Sequence, residues 1–142
     1  MLVILLPAHS LRTVAYAGGE GESGDIMAQL PMVLSVGADR VAPDFEAYRG
    51  RIDRLCAGLT GHPQCVVELQ GNTDTRGSVE FMSALGQRYA DSVKLYFVQH
   101  GCPASQLVAL SYGKEKPVSA GRGAKNRRVE VVLKNQGNAP CE

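Results

Sequence analysis

The stretch Asn72-Thr73-Asp74-Thr75-Arg76-Gly77-Ser78 gathers a carboxylate, a guanidinium, three hydroxyls and a glycine into one short segment. An ionised Asp74 is an acceptor-only group, so its partners must be N–H or O–H donors. Ahead of a helix it can close an Asx-turn or cap the helix, and on a loop it can also receive a cationic ligand group. Gly77 supplies a permissive backbone for the turn. The chemistry offered is binding. No Ser-His-Asp, Cys-His or paired-carboxylate arrangement with a hydrophobic site can be assembled, and His62 and His100 fall near helix ends remote from Asp74. There is no Cys-x-x-Cys pair and the three histidines are scattered, so neither a metal nor another cofactor is expected.

The elements that position this stretch must come from a chain of 142 residues, 44% of them apolar, the size of one ordinary domain. Fifteen Lys and Arg against fourteen Asp and Glu leave a net charge of +1, too small a field for a nucleic-acid or anionic-membrane binder. The longest apolar run, Leu2 to Leu6, is far short of the roughly 20 residues that cross a bilayer, so no transmembrane segment is expected. Leu2 to Leu6 and Leu11 to Ala17 read as two β-strands, making residues 1–30 a β-rich N-terminal extension, with Gly18 to Asp25 as a connection. The rival reading is a leader ending at Ala15-Tyr16-Ala17, which lacks a basic residue before the run. Cys56, Cys65, Cys102 and Cys141 point to disulfides in an oxidising compartment, and four cysteines allow three pairings.

Ile26 to Val36 is β-rich but broken by Pro31, which predicts two short extended pieces, the second entering the sheet. From Pro43 to Leu59, Phe45, Tyr48, Ile52, Leu55, Cys56 and Leu59 recur at three and four, an amphipathic helix with Pro43 in its first turn. Cys65 to Gly71 reads as a central strand. Ser78 is a good N-cap for a helix running to about His100, whose apolar side gathers Val79, Met82, Leu85, Tyr89, Ala90, Val93, Tyr96 and Phe97. Leu107 to Tyr112 and Arg127 to Leu133 are two further strands, the second with Val129, Val131 and Leu133 on one face. The order β-α-β-α-β-β describes an α/β two-layer sandwich over residues 31–135, followed by a tail at 136–142.

Four motifs in order over about seventy residues resemble the OmpA-like domain shared by peptidoglycan-associated lipoproteins, outer-membrane porin tails and flagellar stator subunits. They are Val66 to Ser78, with its G-x-T-D-x-x-G-S turn; Leu85-Gly86-Gln87-Arg88-Tyr89-Ala90; Ser111-Tyr112-Gly113-Lys114-Glu115-Lys116-Pro117; and Asn126-Arg127-Arg128-Val129-Glu130. The resemblance implies a mixed sheet, a non-catalytic domain in the periplasm of a Gram-negative bacterium, and attachment of an outer-membrane or envelope assembly to peptidoglycan. It implies that Asp74 receives the amino group of diaminopimelate in the peptide stem, within a site that includes Asn72, Thr73, Gly77 and Arg128. No Leu-x-x-Cys lipobox stands at the N-terminus, so this chain is not expected to encode a lipid anchor.

Two positions depart from the family pattern. The arginine that would grip the diaminopimelate carboxylate is Tyr89, and an asparagine soon after the turn is Met82. Neither offers a charged bidentate fork, which is worth about 1.5–3 kcal/mol, or roughly ten- to a hundredfold in affinity. Arg76, Arg88, Arg127 and Arg128 are candidate compensating cations, and the plain alternative for each is a solvated surface charge. Met82 and Tyr89 lie together on the apolar side of their helix, as part of a buried or a partner-facing patch. A partner-facing patch fits a second function, a structural subunit of an envelope-spanning secretion or motility complex working through contacts with envelope proteins. The implied topology puts all four cysteines at the end of the sheet opposite Asp74, where Cys56 with Cys65 closes the shortest loop and leaves Cys102 with Cys141.

Overall fold

A computed structural model describes residues 23–120, 123–134 and 141. The N-terminal strands and leader considered for residues 1–22 lie outside them. The elements are α1 (Ser23–Gln29), β1 (Met32–Ser35), α2 (Arg49–Gly61), β2 (Val66–Asn72), α3 (Val79–Gln99), β3 (Leu107–Gly113) and β4 (Arg128–Lys134). Among the described residues, no helix is long and apolar enough to cross a membrane.

The sheet order is β1-β4-β2-β3, with β2 parallel to β3 and antiparallel to β4, and β1 antiparallel to β4. It is therefore mixed, and the two-layer sandwich expected from the sequence is the observed fold. Alternation decides which face is buried. Met32, Val131, Leu69 and Ala109 form one row across the strands, and Leu34, Val129, Gly71 and Ser111 form the next. Opposite faces of β2 carry Val67 and Leu69, both fully buried, and the half-buried Glu68 and Gln70. The helices cover only the first of these faces.

Helix α3 lies against β2 without side chains between the backbones. A Cβ on Gly71 would come within 1.8 Å of the Gly86 carbonyl oxygen, and one on Gly86 within 2.3 Å of Ser111 Oγ. On either side of Gly86 the buried stripe is Met82, Tyr89, Ala90, Val93 and Phe97. Val79, placed on that stripe by its angle on the wheel, is half exposed at the first position of the helix. Ser78 caps the helix as expected, its Oγ accepting the Phe81 N–H at 3.0 Å.

Three sequence expectations change. Ile26 to Gln29 belongs to a helix, not an extended piece: Ile26 is fully buried in the core, and Arg51 donates to the Gln29 backbone oxygen at 2.7 Å, satisfying the helix end. The domain therefore reaches back past residue 31. Helix α2 starts at Arg49 after a 3-10 turn at Glu46–Tyr48, and Pro43 precedes both; Asp44 Oδ1 accepts the Glu46 N–H at 3.1 Å and so supplies the entry turn.

The cysteines pair as Cys56–Cys102 and Cys65–Cys141, not by shortest loop. Spatial neighbours decide. Cys102, just past the end of α3, lies with its Cα 4.3 Å from that of Cys56 on α2, and Cys65 immediately precedes β2 beside the end of β4, where Val66 faces Lys134. All four do cluster at one end. Gln106 reinforces that end, its Nε2 donating to the carbonyls of Leu59, His62 and Cys65 at 2.8–2.9 Å.

Peptide mapping under non-reducing conditions should recover Cys56 with Cys102 and Cys65 with Cys141. The loop lengths, 46 and 76 residues, make each bridge worth about 4 kcal/mol on chain-entropy grounds, so Cys56→Ala/Cys102→Ala should lose a comparable amount in urea unfolding. Gly71→Ala should cost about 3 kcal/mol or more in the same measurement, because the obstacle to its methyl group is backbone.

Candidate functional site

The site begins where β2 ends. A register shift between Gly71 and Asn72 turns the chain, and the Thr73 N–H then donates to the Gly113 carbonyl at 2.8 Å. The Thr73 hydroxyl donates to the Asp74 backbone oxygen at 2.9 Å. These two bonds set Asp74 beyond the end of the β2–β3 pair, with only 2% of its surface exposed. Gly77 takes φ +85°, and a Cβ there would lie 3.1 Å from Met82 Cε, so the turn both uses the left-handed region and packs on the helix. Lys114 Nζ donates to the Gly77 carbonyl at 2.6 Å and ties the turn to the end of β3.

Two guanidinium groups converge on the Asp74 carboxylate. Arg76 Nε lies 3.1 Å from both oxygens, its Nη2 is 2.8 Å from Oδ2, and its backbone N–H donates to Oδ1 at 3.1 Å. Arg127 Nη1 reaches Oδ2 at 3.4 Å while its Nε donates to the Val36 carbonyl at 3.2 Å. Burial alone would push the Asp74 carboxyl upward; the hydrogen bonds and charge of Arg76, with Arg127, outweigh it and hold the group below its ordinary value. Asp74 in return raises Arg76, which also feels the negative charge of Asp39. The cluster carries one negative charge and two positive ones.

The other candidates sort by contact. Asn72 is buried beside Asp74 in the chain, but its amide donates to the Gln70 carbonyl at 3.0 Å, and it shapes the strand end. Arg128 does not reach Asp74: its guanidinium is spent on the Glu130 carboxylate and on the carbonyls of Asn126 and Lys116. Consecutive residues entering a strand point to opposite sides, which separates Arg128 from Arg127. Arg88 is exposed on α3 and makes none of the Asp74 contacts. Met82 and Tyr89 are both buried, Tyr89 within the hydrophobic core, so the partner-facing reading gives way to the buried one. Burial first, and then the Asp74 charge, push the Tyr89 phenol above its ordinary value, with Arg127 and Arg76 pulling partly back.

Three contributors went unread in the sequence: Lys114, the Val36 carbonyl and Asp39, which sits at φ +64°. Lys114 stands inside the quoted Ser111 to Pro117 motif, yet its partner is 37 residues away. Only the fold brings them together.

A mixed sheet backed by helices, with a buried carboxylate turn beyond the end of β2, defines a small α/β domain that presents a polar loop at one end. The OmpA family model matches residues 45–130, and the chain belongs to that family. The peptidoglycan-associated lipoprotein of Pasteurella multocida is 44% identical over 144 aligned positions, covering 91% of this chain and 95% of the relative. That of Pseudomonas aeruginosa is 46% identical over 90 positions, 61% of this chain and 52% of the relative, so the match spans about half of that protein. Among solved structures, the peptidoglycan-associated lipoprotein from Burkholderia pseudomallei superposes with a TM-score of 0.66 at 34% identity, covering 72% of this chain and 89% of that one.

The depressed Asp74 carboxyl fixes a pH dependence. Its interactions stabilise the fold fully above the ordinary carboxyl value and lose effect as pH falls through the lower folded value. Urea unfolding from pH 7 to pH 2 should therefore show wild type well above Asp74→Asn at neutral pH, with the gap closing below about pH 4.

Proposed function

We propose that this chain is a non-catalytic periplasmic domain that binds peptidoglycan and holds an outer-membrane assembly to the cell wall. The observation that carries the reading is the Asp74 turn, which matches the family's motif and is built in space as a buried carboxylate ringed by donors. Membership of the OmpA family and the similarity to peptidoglycan-associated lipoproteins support it.

Asp74 is the contact for the ammonium group of diaminopimelate in the stem peptide. Arg76 and Arg127 supply the positive charge that Tyr89 cannot, since both guanidiniums already stand within 3.4 Å of the same carboxylate oxygen. Arg128 is a strand-end anchor in this reading, and Arg88 remains a surface charge. Thr73 and Gly77 act through the backbone they fix. The burial of Met82 and Tyr89 removes the observation that favoured a subunit working only through protein contacts.

Sedimentation with purified sacculi tests this. Wild type should pellet with the wall, and Asp74→Ala, checked by circular dichroism to be folded, should bind about ten- to a hundredfold more weakly. A wild type that stays in the supernatant at every protein concentration sinks the reading.

A further inference from the structure

The Asp74 carboxylate is already saturated. Both oxygens accept from Arg76, Oδ2 accepts also from Arg127, and the group has almost no exposed surface. An ammonium ion arriving from solvent finds neither a bare oxygen nor an open approach. Something must leave first, and the two arginines are not equally able to do so.

Arg127 is held at two points, by Asp74 and by the Val36 carbonyl, and its side chain is 14% exposed. The Arg76 guanidinium hydrogen-bonds to Asp74 alone among the described residues, and its side chain is 49% exposed. Its backbone N–H holds Asp74 Oδ1 independently, so the carboxylate keeps its orientation when the side chain swings away. One cation is a fixture and the other a removable plug.

We propose that Arg76 is a built-in stand-in for the ligand's ammonium group, and that the site opens only to a ligand end carrying an ammonium and a carboxylate on the same carbon. This rests on the reading of Asp74 as the wall contact. The reason is a balance of charge. A simple amine that displaces Arg76 satisfies Asp74 but leaves the guanidinium without its carboxylate and adds a positive charge beside Arg76 and Arg127. A zwitterionic end exchanges partners: its ammonium takes the place of Arg76 on Asp74, and its carboxylate receives the released guanidinium fork. Every charged group keeps a partner of opposite sign and the net charge of the site does not change. Arg127 stays throughout and keeps Asp74 ionised. Arg76 thereby does the carboxylate-gripping work for which position 89, a buried tyrosine, has no group.

The test uses the whole chain and three synthetic tripeptides, L-Ala-γ-D-Glu followed by meso-diaminopimelate, by its carboxamide at the free end, or by L-lysine. Isothermal titration of the wild type should give the diaminopimelate peptide at least about tenfold tighter than the other two. In Arg76→Gln the plug is gone. The diaminopimelate peptide should weaken about tenfold or more, while the lysine peptide should bind more tightly than it does to wild type, so that the preference collapses from both sides. Arg76→Lys, which keeps a cation without the fork, should preserve the order with a narrower gap. A purely structural role for Arg76 lowers all three affinities in parallel; that result overturns this proposal and leaves the wall-binding reading standing. Equal wild-type affinity for the lysine and diaminopimelate peptides overturns it too. A wild type that binds none of the three removes the reading beneath it.

Discussion

Two glycines with nothing between them set the geometry of this domain. Gly71 of β2 and Gly86 of α3 bring strand and helix backbones closer than any side chain permits, and Gly86 also admits Ser111 from β3. Because α3 is pinned there, the short connection from Asn72 to Ser78 has little freedom in how it joins strand to helix. It must climb from the sheet end to a helix start lying directly over it. The Thr73 bond to Gly113, the positive φ at Gly77 and the Ser78 cap are the local solutions to that climb. Asp74 is buried as a result, and a buried carboxylate demands cations.

The molecule is consequently polar along its length. At one end a carboxylate and two guanidiniums form a compact charged cluster whose parts come from the β2–α3 turn and the start of β4. At the other end, two disulfides and the hydrogen bonds from Gln106 to three carbonyls tie helix ends, strand starts and the C-terminal segment together. Removing one member of such a buried cluster is costly because it leaves the opposite charge buried without its partner.

Much of this was legible in the chain, for identifiable reasons. The strands showed because β2 and β4 alternate between a buried and an open face, and α3 showed because it is long, well capped and periodic. Asp74 stood out because its neighbours form a recognisable turn. The rest required three dimensions. Ile26 to Gln29 contains no strong helix signal, and its helix is held by packing on α2 and by Arg51. The cysteine pairing followed adjacency of layers and strands, while the shortest loop was a poor guide. The choice of Arg127 over Arg128 turned on the parity of one residue at a strand start. Lys114, Asp39 and the Val36 carbonyl are separated from the turn by tens of residues, so no local pattern could reveal them.

The bridge from Cys65 to Cys141 also bears on how the chain would respond to being stretched. Pulled from its two termini, the backbone carries tension only as far as Cys65 and then crosses the sulfur link to Cys141, leaving 76 residues of contour slack. The bypassed segment contains β2, α3, β3, β4, Asp74, Arg76 and Arg127, while Val36 and Asp39 precede it. Fully extended, that segment would otherwise add roughly 250 Å of length. The Asp74 turn and both of its arginines therefore sit off the line of force between the ends, and only their contacts with Val36 and Asp39 cross it.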